Sequence, residues 1–187
     1  MIANQKIALL LILSIHFASG CDVSKSDHES KFSTPQTEPI FVAVPRREQD
    51  LLDAYAKASE TMSEFKNHVT TPGAHICSAK LRFRDPKLSD DLGEDRYAFI
   101  WLTSTQYHED DGLYSAEFFE VPKEFQEWHQ VGQRLTFESE DVFDWMVNYD
   151  GYVHGGFTLR AVKKHLSDAD KASHDEYIGV REWAPIP

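Results

Sequence analysis

Two cysteines in 187 residues are too few for a disulfide-stapled scaffold, so the fold must be held by burial of apolar side chains. Glycine and proline are also sparse, 9 and 8 residues, which excludes a collagen-like or low-complexity chain. Basic side chains number 19 against 31 acidic ones, a formal net charge of -12. That balance excludes unassisted binding to nucleic acid or anionic lipid, whose phosphates would meet the protein's own field. No GxSxG elbow, HExxH helix, Walker loop or Gly-rich dinucleotide fingerprint is present. What the chain does have is 41% hydrophobic, 12% aromatic and 27% charged residues, enough for one packed domain with tails.

The N-terminus opens with MIANQKIALLLILSIHFASG, in which Lys6 is the lone charge and the apolar run from Ile7 to Ile15 is broken only by Ser14. As a helix this run reaches about 14 Å, against the roughly 30 Å of a hydrocarbon layer, so it reads as the core of an export signal. Ala18, Ser19 and Gly20 lead into Cys21, and the string ASGC resembles the lipobox of bacterial lipoproteins. The resemblance implies cleavage before Cys21, lipidation of Cys21 and anchoring in a membrane facing the periplasm. The competing reading is an ordinary secretory cleavage that leaves Cys21 free to pair with Cys77. Residues 1–20 are thus expected as signal peptide, 21–38 as a polar tether and 39–187 as a single domain. Cys77, within the apolar stretch Ile76 to Ala79, reads as a small core hydrophobe.

Beyond Pro45, Leu51, Tyr55, Ala58, Met62, Phe65 and Val69 recur at helical spacing and predict one amphipathic helix, ended by Pro72 and Gly73. From Ile76 the period changes to two. Ala79, Leu81 and Phe83 alternate with Lys80, Arg82 and Arg84 in a first strand. A polar loop from Asp85 to Asp95, a fully apolar strand from Tyr97 to Leu102, a third strand from Leu113 to Val121 and a fourth from Gln133 to Glu138 follow. Ser139, Glu140 and Asp141 read as the capped first turn of a short helix carrying Trp145, and the alternation at Phe157, Leu159 and Ala161 as a fifth strand. Ser167 and Asp170 start a C-terminal helix that ends near Gly179. The expected fold is α+β, a long N-terminal helix packed on a curved, mainly antiparallel sheet of about five strands, with a C-terminal helix.

The order of FIWLT at Phe99 to Thr103, FEVP at Phe119 to Pro122, VGQRLTF at Val131 to Phe137, DVFDWM at Asp141 to Met146 and GGFTLR at Gly155 to Arg160 resembles the YegJ-like family of uncharacterised bacterial proteins. Its motif positions fall here on Trp101, Pro122, Gly132, Asp144, Trp145, Gly156, Thr158 and Arg160. The resemblance implies this fold and an exported setting, and no reaction. The residues themselves suggest core pillars at Trp101 and Trp145, turn positions at Gly132 and Gly155-Gly156, and a partly buried ion pair between Asp144 and Arg160.

Histidines outside the signal are scattered singly, and the string His108 to Asp111 reads as a solvated hairpin tip, so no metal or cofactor is assigned. The acidity is concentrated. Twelve acidic and two basic residues lie between Gln106 and Asp150, and they include Glu117, Glu120, Glu124, Glu127 and Glu138. These glutamates are the candidate docking surface for a basic envelope protein or toxin. The sequence therefore favours a non-catalytic, inhibitor- or immunity-type binding module over an enzyme. The alternatives are an envelope hydrolase using acidic residues near Asp144 and His154, or a structural or assembly factor.

Overall fold

The structure is a computed structural model that describes residues 46–187. The expected signal peptide, the tether and Cys21 lie outside the described residues. Among the described residues no helix is long and apolar enough to cross a membrane.

The predicted N-terminal helix is present as two, α1 (Arg46–Glu60) and α2 (Met62–Thr70), parted at Thr61. The Thr61 hydroxyl donates to the carbonyl of Lys57 at 2.7 Å, and Trp145 Nε1 donates to that hydroxyl at 3.1 Å. A buried β-branched residue bonded both to its own helix and to the sheet interrupts the ladder without redirecting the stripe. Leu51, Ala54, Ala58, Met62, Phe65 and Val69 still pack into one core with the sheet.

The sheet has seven strands where about five were expected. They are β1 (Ile76–Arg84), β2 (Tyr97–His108), β3 (Leu113–Glu117), β4 (Arg134–Phe137), β5 (Val142–Tyr149), β6 (Tyr152–Gly155) and β7 (Glu182–Trp183). Their order is β4-β3-β2-β1-β5-β6-β7, antiparallel throughout except for the parallel β6–β7 pair. Among the described residues the sheet is open, with β4 and β7 as its edges.

Three expectations are corrected by the tertiary arrangement. The polar loop after β1 holds a helix, α3 (Pro86–Leu92): Asp85 accepts from the Leu88 N–H at 2.8 Å, Pro86 opens the first turn and Gly93, at φ 69°, closes the last. The segment carrying Trp145 is the strand β5, because the caps around Ser139–Asp141 close only a 3₁₀ turn. The supposed fifth strand is a helix, α4 (Phe157–Lys163). Gly155 and Gly156, at φ 67° and 64°, turn the chain out of β6, and a Cβ on Gly155 would run into the Trp145 ring and main-chain oxygen. The C-terminal helix α5 (Asp168–Tyr177) begins as expected, with the Ser167 hydroxyl accepting from the Asp170 N–H at 3.2 Å.

Two apolar clusters cover the two faces. Trp145 and Val147 point to the α1–α2 side with Phe65, Ile100, Leu102 and Phe157. Their strand neighbour Met146 points the other way, into a smaller cluster with Trp101, Val153, Ile178 and Val180. Cys77 is buried in the larger cluster, where burial alone pushes its thiol up to about 12.

Candidate functional site

Glu64 and His68 stand four residues apart on α2 and so share one face of the helix. His154 stands on β6 opposite Val147, whose side chain lies in the core beneath α2, so the imidazole projects to the same side of the sheet. Helix and hairpin thereby bring three donors together. His68 Nε2 and His154 Nδ1 each lie 3.6 Å from Glu64 Oε1, and one donor atom from each residue falls within 4.8 Å of the others. The two imidazole centres are 4.5 Å apart.

The cluster sits at the rim of the core. The side chains of Glu64, His68 and His154 are 31%, 18% and 24% exposed, so one side of the group faces solvent. Burial, then the neighbouring His154, press the His68 pKa down against the pull of Glu64, which favours the neutral, ligand-competent imidazole. A ring of aromatic groups surrounds it. Tyr149 places its hydroxyl 2.8 Å from His68 Nδ1, His75 donates through Nε2 to the His68 carbonyl at 3.0 Å, and the His75 ring lies 4.6 Å from that of Tyr149.

The donor set suits a divalent transition metal. Zinc takes histidine nitrogen and carboxylate oxygen at about 2.0–2.2 Å, which places neighbouring tetrahedral donors roughly 3.4 Å apart. The observed 3.6 Å between Glu64 and each histidine is already close to that edge. A set of two histidines and one carboxylate, partly open to solvent, matches the composition of zinc sites that keep a position open for water or substrate.

The residues singled out in the sequence form a different centre. Asp144 is fully buried and accepts from the main-chain N–H of Trp145, Phe157 and Thr158 at 2.8, 3.1 and 2.8 Å and from the Thr158 hydroxyl at 2.6 Å. Burial pushes its carboxyl upward; Lys80 and the bonds from Thr158 and Phe157 oppose that. Lys80, its partner across the β1–β5 ladder, donates to the Thr158 hydroxyl at 3.1 Å, and burial lowers its ammonium. Arg160, expected to pair with Asp144, instead donates to the carbonyls of Gly155 and Val153 at 2.8 and 3.2 Å and lies over the Trp183 ring at 4.5 Å. Asp144, Trp145, Gly156, Thr158 and Arg160 thus lock the β5–β6–α4 junction that aims His154. Trp101 packs in the smaller cluster, Pro122 precedes a 3₁₀ turn at Lys123–Phe125, and Gly132, at φ 81°, donates to the Phe118 carbonyl at 2.7 Å.

The candidate acidic surface is divided. Glu117 pairs with Arg134 at 3.2 Å, and Glu120 has one buried oxygen without a hydrogen-bond partner among the described residues. Glu138 caps the turn before β5. Glu124 and Glu127 are exposed on the connection to β4.

Comparison with known families matches residues 48–181 to DUF2314, described as an uncharacterised protein conserved in bacteria. The chain belongs to the DUF2314 family. This corrects the YegJ-like resemblance: FIWLT is the apolar pattern of a central strand and GGFTLR that of a glycine turn opening a helix, and such patterns did not discriminate between families. The DUF2314 region contains Glu64, His68, Tyr149 and His154 and stops just before β7. No curated protein and no solved structure matches the chain.

Sequence reasoning missed Glu64 and His68. Their spacing of four on a helix is a usable signal, but one carboxylate and one histidine at that spacing are far commoner than a histidine pair and do not by themselves mark a metal site. The third donor comes from a strand far along the chain, and no local spacing announces it.

Proposed function

We propose that this DUF2314 domain binds one divalent transition metal of the zinc class through Glu64, His68 and His154 and acts as a hydrolase of the bacterial envelope. The convergence of three partly buried donors within 4.8 Å carries the reading. An ion of this class with a free coordination position acidifies a bound water toward neutral pH, which is the chemistry of hydrolysis. Glu64 replaces Asp144 as the acidic residue of the site, since Asp144 is sealed behind Thr158 and Lys80. Envelope placement belongs to the same proposal and rests on lipidation of Cys21. It predicts palmitate labelling of the wild type that is lost in Cys21→Ser.

The test is metal content and titration of the purified domain with Zn²⁺, followed by hydrolysis of simple ester, phosphoester and peptide substrates. One ion per chain, lost in Glu64→Gln, His68→Ala and His154→Ala together with any hydrolysis, supports the reading. Failure to bind metal stoichiometrically removes it, and metal uptake with no turnover reduces it to a binding site.

A second reading, a non-catalytic module that docks a basic envelope protein, is supported by exposed Glu124 and Glu127 beside Trp128, itself 46% exposed. Affinity capture of a basic partner that survives Glu124→Lys with Glu127→Lys would count against it.

A further inference from the structure

We infer that Tyr149 is the positioning residue of the Glu64–His68–His154 centre, holding the His68 ring with Nε2 toward the other two donors and accepting the Nδ1 proton that the ring carries when Nε2 is the ligand. This rests on the metal reading above.

The two nitrogens of His68 have different neighbours. Nε2 faces Glu64 Oε1 at 3.6 Å, and Nδ1 lies 2.8 Å from the Tyr149 hydroxyl. A neutral imidazole carries one N–H, so only one nitrogen can be a ligand. When Nδ1–H donates to the phenol oxygen, the lone pair on Nε2 points at Glu64 and His154. In the other tautomer an N–H occupies that direction and no coordinate bond can form. A hydrogen-bonded partner on the non-ligating nitrogen is the usual device for setting the ring and raising its basicity.

Tyr149 is itself held in place. It ends β5, paired across the hairpin with Tyr152, so its Cα is fixed by the same strands that place His154. Its ring lies between two others, His75 at 4.6 Å and the edge-on His154 at 5.8 Å. His75 in turn bonds the carbonyl of His68, so the last turn of α2 is tied to the tyrosine that orients its histidine. Three links join helix and hairpin around one imidazole, and the phenol hydroxyl is the link whose removal leaves the packing of the rings intact.

The decisive comparison is Co²⁺ and Zn²⁺ binding by the wild type, Tyr149→Phe and, as a site knock-out, His68→Ala. Tyr149→Phe is expected to bind either ion about 10- to 100-fold more weakly than the wild type and to shift the visible absorption of bound Co²⁺, with an unchanged far-ultraviolet circular dichroism spectrum. Nitrogen NMR of the Zn²⁺-loaded wild type is expected to show the proton of His68 on Nδ1 and Nε2 engaged by the metal. Equal affinity and identical Co²⁺ spectra in wild type and Tyr149→Phe would overturn the positioning role while leaving the metal site standing. Absence of Co²⁺ and Zn²⁺ binding by the wild type would overturn both. A His68 proton found on Nε2 in the Zn²⁺-loaded wild type overturns the positioning argument without recourse to any variant.

Discussion

Thr158 gives Asp144 two hydrogen bonds, one from its main-chain N–H at 2.8 Å and one from its hydroxyl at 2.6 Å, and both act on the same carboxylate oxygen. One side chain from the middle of the sheet thus supplies the cap that Gly156, without a side chain, cannot offer to α4. The same carboxylate is the counter-charge of buried Lys80, which reaches the Thr158 hydroxyl. Asp144→Ala would leave N–H groups of α4 without partners and the Lys80 ammonium without its counter-charge, and a loss of roughly 3–5 kcal/mol is expected. Urea denaturation is the measurement. A loss under about 1 kcal/mol would show that α4 is held by its apolar face alone.

Gly155 and Gly93 share a left-handed backbone, at φ 67° and 69°, but have different surroundings. A Cβ at Gly155 meets Trp145, whereas one at Gly93 meets nothing within 4 Å. Gly93→Ala is therefore expected to cost on the order of 1 kcal/mol from backbone strain. Gly155→Ala should cost clearly more and should also move His154, its chain neighbour. Comparing the two thermal midpoints, and the metal uptake of each variant, checks both statements.

Burial that pushes the Cys77 thiol up to about 12 leaves almost no thiolate at neutral or mildly alkaline pH. Iodoacetamide is expected to leave native protein with Cys21→Ser unmodified and to label Cys77 once urea unfolds it. Rapid labelling of the folded protein would mean that β1 opens readily at its start. The same burial bears on the expectation of a Cys21–Cys77 disulfide, because a partner would have to displace core side chains to reach the sulfur.

Asp50 on α1 accepts from His165 at 2.7 Å and from Lys164 at 3.2 Å, and these two bonds, His165 first, hold its carboxyl below the ordinary range. A carboxylate whose folded pKa is depressed stabilises the fold at pH values above its unfolded pKa. That contribution fades as pH falls through the folded value. Denaturation from neutral pH down through the carboxylate range should therefore show a shallower acid loss for Asp50→Asn than for the wild type. Parallel curves would show that the contact is too exposed to matter.

Where the apolar period was long enough to be unambiguous, local chemistry decided the structure. The stripe from Leu51 to Val69 could only be helical, the alternation of β1 and the apolar run of β2 could only be strands, and Ser167 marked the start of α5. The acid-rich composition and the small-core character of Cys77 were equally local properties. Phe157 to Val162 was different: burying Phe157 and Ala161 satisfies a period of two and a spacing of four alike. The choice fell to the two left-handed glycines and to Asp144, which caps α4 from another element. Trp145 was assigned to a helix because real caps preceded it, and pairing with β1 and β6 outweighed them. The candidate metal centre belongs wholly to this second kind. Glu64 and His68 are neighbours by helix geometry, but His154 joins them only because β6 turns back along β5 beneath α2, a relation between distant segments that no local pattern encodes.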